Sequence, residues 1–86
     1  MYYVAMTDKF MSGWGMSDGK INKLIFECET LEQARTVADN AHNRTDQKYV
    51  NIHYHGKPWY SPRTHYVQIK TIESYPTWYK PGAYSK

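Results

Sequence analysis

An 86-residue chain with 41% hydrophobic residues is long enough for one domain with a small core, and it is too apolar for a disordered chain. It has no apolar run long enough to cross a membrane, no signal-peptide pattern and only one cysteine, so we expect a cytoplasmic protein without disulfides. The net charge is +3, but acidic side chains exceed basic ones up to residue 43, and basic ones dominate afterwards.

The first half of the chain predicts two strands separated by a loop. Alternating side chains indicate a strand over residues 2–6, and glycines and serines indicate a loop over residues 7–20. A second strand over residues 21–28 places Leu24, Phe26 and Cys28 on one face. We expect this face to pack against the helix that follows.

A single amphipathic helix is predicted over residues 31–42. Its apolar positions recur with three- and four-residue spacing and are Leu31, Ala34, Val37, Ala38 and Ala41. Thr30 and Gln33 form a capping-box pattern, in which each side chain accepts a hydrogen bond from a backbone amide at the helix start. Because the apolar stripe is narrow and rich in alanine, a flat sheet is its natural partner.

Two further strands are predicted over residues 48–55 and 65–72. With hairpin connections, the expected fold is α+β, a four-stranded antiparallel sheet in the order ββαββ with one helix on one face. Residues 1–74 are expected to form this single domain, and residues 75–86 an extended, aromatic and proline-rich tail. The opposite face of the sheet is expected to be open, and we expect it to be lined by Tyr3, Lys23, Ile25, Asn51 and His53.

The chain lacks the usual signatures of an enzyme or a cofactor site. Cys28 is expected to be buried, and the glycines do not have the spacing of a phosphate-binding or dinucleotide-binding loop. His53, His55 and His65 could converge on zinc if their strands were neighbours, but carboxylates to orient the rings are scarce. We therefore expect no catalysis, no cofactor and no metal.

Aromatic residues make up 16% of the chain, more than one small core can enclose, so some rings are expected to face a partner. A methionine and tryptophan cluster lies in the first loop, and proline-flanked Trp-Tyr pairs recur at residues 57–62 and 76–81. The expected partner-binding residues are Met11, Trp14, Met16, Trp59, Tyr60, Arg63, Trp78, Tyr79 and Lys80.

Four segments carry a resemblance to a family. The runs MTDKFMSGWG (6–15), GKINK (19–23), CETLEQA (28–34) and KYVNI (48–52) are similar to a group of small proteins carried by tailed phages and prophages. The resemblance covers about two-thirds of the chain. It implies a phage origin, and phage proteins of this size include anti-CRISPR proteins, which bind a host Cascade or Cas effector and block its access to DNA.

Two functions remain open at this point. The first is a non-enzymatic phage protein that acts in the host cytoplasm, as a monomer or small homo-oligomer, and occludes the nucleic-acid-binding surface of a host defence complex. Acidic side chains that could engage lysines of such a target are Glu27, Glu29, Glu32 and Asp39. The alternative is a small single-stranded nucleic-acid-binding module that uses the basic and aromatic residues of the second half.

Overall fold

The protein is described here by a computed structural model, which covers residues 1–8, 21–44, 47–56, 58 and 65–82. The strands are β1 (Tyr2–Asp8), β2 (Ile21–Cys28), β3 (Gln47–His53) and β4 (His65–Lys70). The helix α1 spans Leu31–His42, and a short 3₁₀ helix spans Pro76–Tyr79. The bounds of β2 and α1 agree with the sequence prediction, whereas β1 is longer than predicted and β3 and β4 end earlier.

The four strands form one mixed sheet in the order β3-β1-β2-β4. The prediction of a purely antiparallel sheet is wrong, because β4 pairs with β2 in parallel, with Ile25 beside Ile69. The reason is the position of β3. After α1 the chain passes over β1 and pairs with its far side, so β3 and β4 lie at opposite edges and form no hairpin.

The main core lies between the sheet and α1, as predicted. Leu24, Phe26 and Cys28 of β2 face the buried alanines and Val37 of α1. At the start of α1, Thr30 Oγ1 accepts a hydrogen bond from the backbone N–H of Gln33 at 3.1 Å. Gln33 Oε1 accepts one from the N–H of Glu29 at 2.8 Å, which confirms the predicted reciprocal cap.

The segment predicted to be an extended tail belongs to this core instead. The Trp78 ring stacks on Phe26 with centroids 4.7 Å apart, and only 4% of Trp78 is exposed. Asn40 Nδ2 donates hydrogen bonds to the carbonyl oxygens of Trp78 and Lys80, both at 2.9 Å. The Tyr79 hydroxyl donates to the carbonyl of Glu27 at 2.9 Å. The chain through Lys80 is therefore fastened to α1 and β2.

The opposite face of the sheet is less open than predicted. Ile25, which was expected to line an exposed surface, is fully buried, and Ala5 and Thr7 on the same face are buried as well. Asn51 is exposed, and Lys23 is half-buried. Among the described helices, none has both the length and the apolar character needed to span a membrane.

Candidate functional site

The structure changes the list of candidate partner-binding residues. Trp78 and Tyr79 are buried in the core, so the prediction that these two rings are displayed is wrong, whereas Lys80 beside them is exposed. Burial raises the pKa of the Tyr79 hydroxyl, and the neighbouring Cys28, Glu27 and Glu73 raise it further. The remaining candidates lie outside the described residues and are Met11, Trp14, Met16, Trp59, Tyr60 and Arg63.

The histidines are distributed across the sheet. His53 ends β3 at one edge, and His65 begins β4 at the other edge, with β1 and β2 between them. Three strand spacings amount to roughly 14 Å, too far for the two residues to share one metal ion. Within the described residues, no group of three or more metal-ligating side chains comes together.

An exposed tyrosine with two lysines forms the first surface feature that sequence reasoning missed. We call Lys23, Lys48 and Tyr49 the basic tyrosine patch. The Tyr49 side chain is 69% exposed, and the ammonium groups of Lys48 and Lys23 lie 5.1 and 5.9 Å from its ring centroid. Such distances allow cation–π attraction. The patch therefore presents an aromatic ring inside a local positive field.

A bulge in β3 creates this arrangement. Thr7 pairs with Lys48 and Ala5 with Asn51, so β3 has one more residue than β1 at this point. Tyr49 takes up the extra residue with a backbone φ of 57°, a left-handed conformation that is rare for a large side chain. Neither Tyr49 itself nor its direct neighbours Lys48 and Val50 are of the residue types, glycine and asparagine, that usually indicate such a conformation.

Lys23 links the patch to the sheet. Its Nζ donates a hydrogen bond to Thr7 Oγ1 on the adjacent strand. Burial lowers the pKa of Lys23, and the like charge of Lys48 lowers it further. Two cations brought this close together repel each other, and an anion placed between them would relieve that repulsion.

A cavity of about 320 Å³ opens on the helix side of the sheet, between β4 and the end of α1. We call it the amide pocket, because the carboxamides of Asn22, Gln47 and Gln68 line it. Gln68 Nε2 donates to Asn22 Oδ1 at 3.4 Å. Gln47 is 9% exposed, and its Oε1 has no hydrogen-bond partner among the described residues.

Aromatic and charged groups complete the amide pocket. Its rings are Phe26, Trp78 and Tyr75, the last 41% exposed. Arg44 lies 5.3 Å from the Trp78 ring centroid, and Lys70 lies 4.4 Å from that of Tyr75. The buried carboxylate of Asp8 contributes the negative charge of the pocket. The pocket thus combines flat apolar surfaces, amides and two cations, a mixture typical of small-molecule sites.

The other end of the sheet is acidic. A shallow cleft of about 200 Å³ is lined by Glu27, Glu29 and Glu73, with the exposed side chains of Met1 and Ile72 beside them. We call this the acidic cleft. It lies near the start of α1, whereas the basic tyrosine patch lies near the start of β2 and β3. The molecule therefore has surfaces of opposite charge at its two ends.

Comparisons of the chain with protein-family models, with curated proteins and with solved structures found no match.

Proposed function

We propose that the protein is a non-enzymatic binding module for single-stranded nucleic acid, and that the basic tyrosine patch is part of its binding surface. The observation that carries this proposal is the exposed ring of Tyr49, held in a left-handed backbone conformation between two lysines.

The backbone of Tyr49 supports a functional role because it costs stability. A non-glycine residue in the left-handed region costs about 1–2 kcal/mol. The ring recovers little of this by burial, since 69% of the side chain is exposed. A residue that is both strained and exposed is more easily explained by a partner than by folding.

The chemistry of the patch matches a nucleic acid strand. Aromatic rings stack on unpaired bases with little dependence on sequence, and nearby lysines neutralise the phosphates. Tyr49 supplies the ring, and Lys23 and Lys48 supply the charges. A double helix would not expose its base faces to such a ring, so the proposal is specific for single strands.

Fluorescence anisotropy with a labelled twelve-nucleotide poly(dT) or poly(U) strand tests the proposal. Tyr49→Ala should weaken binding by about 5- to 150-fold, the range measured for loss of one base–ring stack. Tyr49→Phe should retain most of the affinity because it keeps the ring. Lys48→Gln should reduce the slope of log affinity against log salt by about 0.7.

Two matched controls are available. Tyr54 is also exposed, at 51%, but its ring packs edge-on against Tyr2 with centroids 6.2 Å apart. Arg35 is an exposed cation on α1, away from the patch. Tyr54→Ala and Arg35→Gln should leave affinity nearly unchanged. Equal losses for Tyr49→Ala and Tyr54→Ala, or no strand binding at low salt, would refute the proposal.

The second candidate is a phage-encoded inhibitor of anti-CRISPR type that occludes the nucleic-acid-binding surface of a host Cascade or Cas effector. The acidic cleft favours it, because carboxylates flanked by exposed Met1 and Ile72 suit a lysine-rich surface with apolar contacts. A pull-down with such a complex, followed by a DNA-binding assay, tests this candidate. Combined Glu27→Gln and Glu73→Gln should relieve inhibition, whereas Asp39→Asn on α1 should not.

A further inference from the structure

We propose that the amide pocket binds a nucleotide whose base carries an exocyclic amino group. The base lies inside the pocket, and the phosphate lies beside the cations Arg44 and Lys70. The proposal does not depend on the basic tyrosine patch, because none of the three patch residues lines the pocket. The two sites can therefore fail independently.

The pocket has the size of a small ligand. Its volume of about 320 Å³ lies at the lower end of the range of ligand sites, which suits a base and sugar with the phosphate outside. Phe26 and Trp78 are stacked on each other, so one continuous aromatic surface adjoins the cavity. A flat heterocycle is the ligand shape that makes the most contact with such a surface.

Gln47 provides the independent indication that something binds here. It is nine-tenths buried and lines the pocket, yet Oε1 has no hydrogen-bond partner within the described part of the chain. Leaving a buried acceptor unsatisfied is costly, and native proteins rarely do so without a reason. A ligand that donates an N–H to this oxygen would remove the cost.

The buried polar groups also select the kind of donor. Asp8 pairs with Gln47 across β1 and β3, so a carboxylate and the unsatisfied amide oxygen come from neighbouring positions of the same wall. Carboxylate and amide oxygens are both hydrogen-bond acceptors. An exocyclic amino group of adenine or cytosine offers two N–H donors for two acceptors. Uracil lacks this group.

The cations account for the remaining part of the ligand. Arg44 and Lys70 are half-buried and line the same pocket, each beside an aromatic ring. A guanidinium and an ammonium are the groups that most often bind phosphate. A neutral base would contact only the rings and the acceptors, whereas a nucleotide would contact the rings, the acceptors and the cations together.

Isothermal titration calorimetry with mononucleotides tests the proposal on the full chain. AMP or CMP should bind with a Kd of about 1 mM or tighter, and IMP and UMP about tenfold more weakly. Adenosine should bind more weakly than AMP, and Lys70→Gln should reduce that difference, because Arg44 would remain as the one cation beside the phosphate. The base could come from a free nucleotide or from a strand, and titration with a hexanucleotide (dA)₆ distinguishes the two.

Gln47→Met provides the decisive variant, because it keeps the size of the side chain and removes the acceptor. It should lower AMP affinity about tenfold and remove the preference for AMP over IMP, while the melting temperature falls by no more than a few degrees. Gln68→Met is the matched control, since the Gln68 amide already donates to Asn22. Its effect on the AMP-to-IMP ratio should be small.

Each outcome decides the matter. Binding of AMP or CMP that depends on Gln47 supports the site, whether or not (dA)₆ competes for it. No saturable binding of any mononucleotide at about 5 mM overturns it. Equal affinity for AMP and IMP in the unmodified protein also overturns it, because Gln47 would then recognise no amino group. If Gln47→Met unfolds the protein, the comparison of AMP, IMP and adenosine on the unmodified chain still gives the answer.

Discussion

Trp78→Ala should destabilise the fold severely, although the local sequence suggests an exposed ring. Only 4% of Trp78 is exposed, and its ring stacks on that of Phe26 with the ring centroids 4.7 Å apart. Truncating a buried tryptophan costs about 3–5 kcal/mol. A domain of this length has a total stability of about 4–13 kcal/mol, so the change removes a large share of it. The melting temperature should fall by at least about 12 °C.

The assay is urea unfolding followed by far-UV circular dichroism, because removing a tryptophan alters fluorescence directly. Tyr75→Ala is the matched control: this ring belongs to the same segment and touches Phe26 edge-on at 6.4 Å, but it is 41% exposed. It should cost about 1 kcal/mol. A free energy of unfolding for Trp78→Ala within about 1 kcal/mol of the unmodified protein would show that this segment is not part of the core.

Three further predictions concern the polar groups that hold the fold. Asn40→Asp places a carboxylate against the two carbonyl oxygens that the Asn40 amide now contacts. It should lower the free energy of unfolding, measured in urea, by at least about 2 kcal/mol at pH 7 and by less near pH 4, where protonation of the carboxylate restores a donor. Asn40→Ala should show no such pH dependence. Burial raises the pKa of the Cys28 thiol to about 11, so iodoacetamide should label this residue only after unfolding. Because the thiol ionises at a lower pH in the unfolded chain, the free energy of unfolding should fall as the pH rises from about 9 to 11. The fall should be smaller in Cys28→Ala. Thr30→Ala removes the helix cap and should lower the free energy of unfolding by about 1 kcal/mol. The control is Thr36→Ala, because the Thr36 hydroxyl donates to a carbonyl within the helix and caps nothing. Equal effects of the two substitutions would contradict the capping role.

The elements that the sequence predicted well are those decided by neighbouring residues. The period of α1 and its cap involve residues within a few positions of each other, and both are confirmed. The facing of Leu24 and Phe26 follows from simple alternation and is also confirmed. The direction of β4 depends on which edge β3 joins, and residues 48–55 contain no local signal for that choice.

The position of Trp78 could not be predicted for a related reason. Proline-flanked Trp-Tyr pairs have the same local appearance whether the rings point inward or outward. The outcome depends on where α1 packs on the sheet: most of its contacts with strands are to β3 and β1, and the Trp78 ring stacks on Phe26 of β2. Only the packing of α1 on the complete sheet shows that part of Phe26 is covered by Trp78.

The candidate site was missed for two different reasons. Asn22 had a signal that could have been used, because it occupies the same alternation phase as Leu24 and Phe26 and is a polar residue on the core side. Gln47 had no such signal in the sequence, because regular alternation from Val50 places Lys48, and not Gln47, on the core side of the strand. The bulge at Tyr49 shifts the phase and turns Gln47 inward instead.

The supernumerary position in β3 makes an unusual experiment possible. Two residues of β3, Tyr49 and Val50, lie between the partners of Ala5 and Thr7, where β1 has only Met6. Deleting Tyr49 should therefore let Val50 pair with Met6 while the pairs on either side of the bulge are kept. Most deletions inside a strand invert every side chain beyond them. Deletion of Tyr49 would remove one exposed ring from the surface and leave a more regular sheet. A natural or engineered deletion at this position would therefore separate loss of binding from loss of folding.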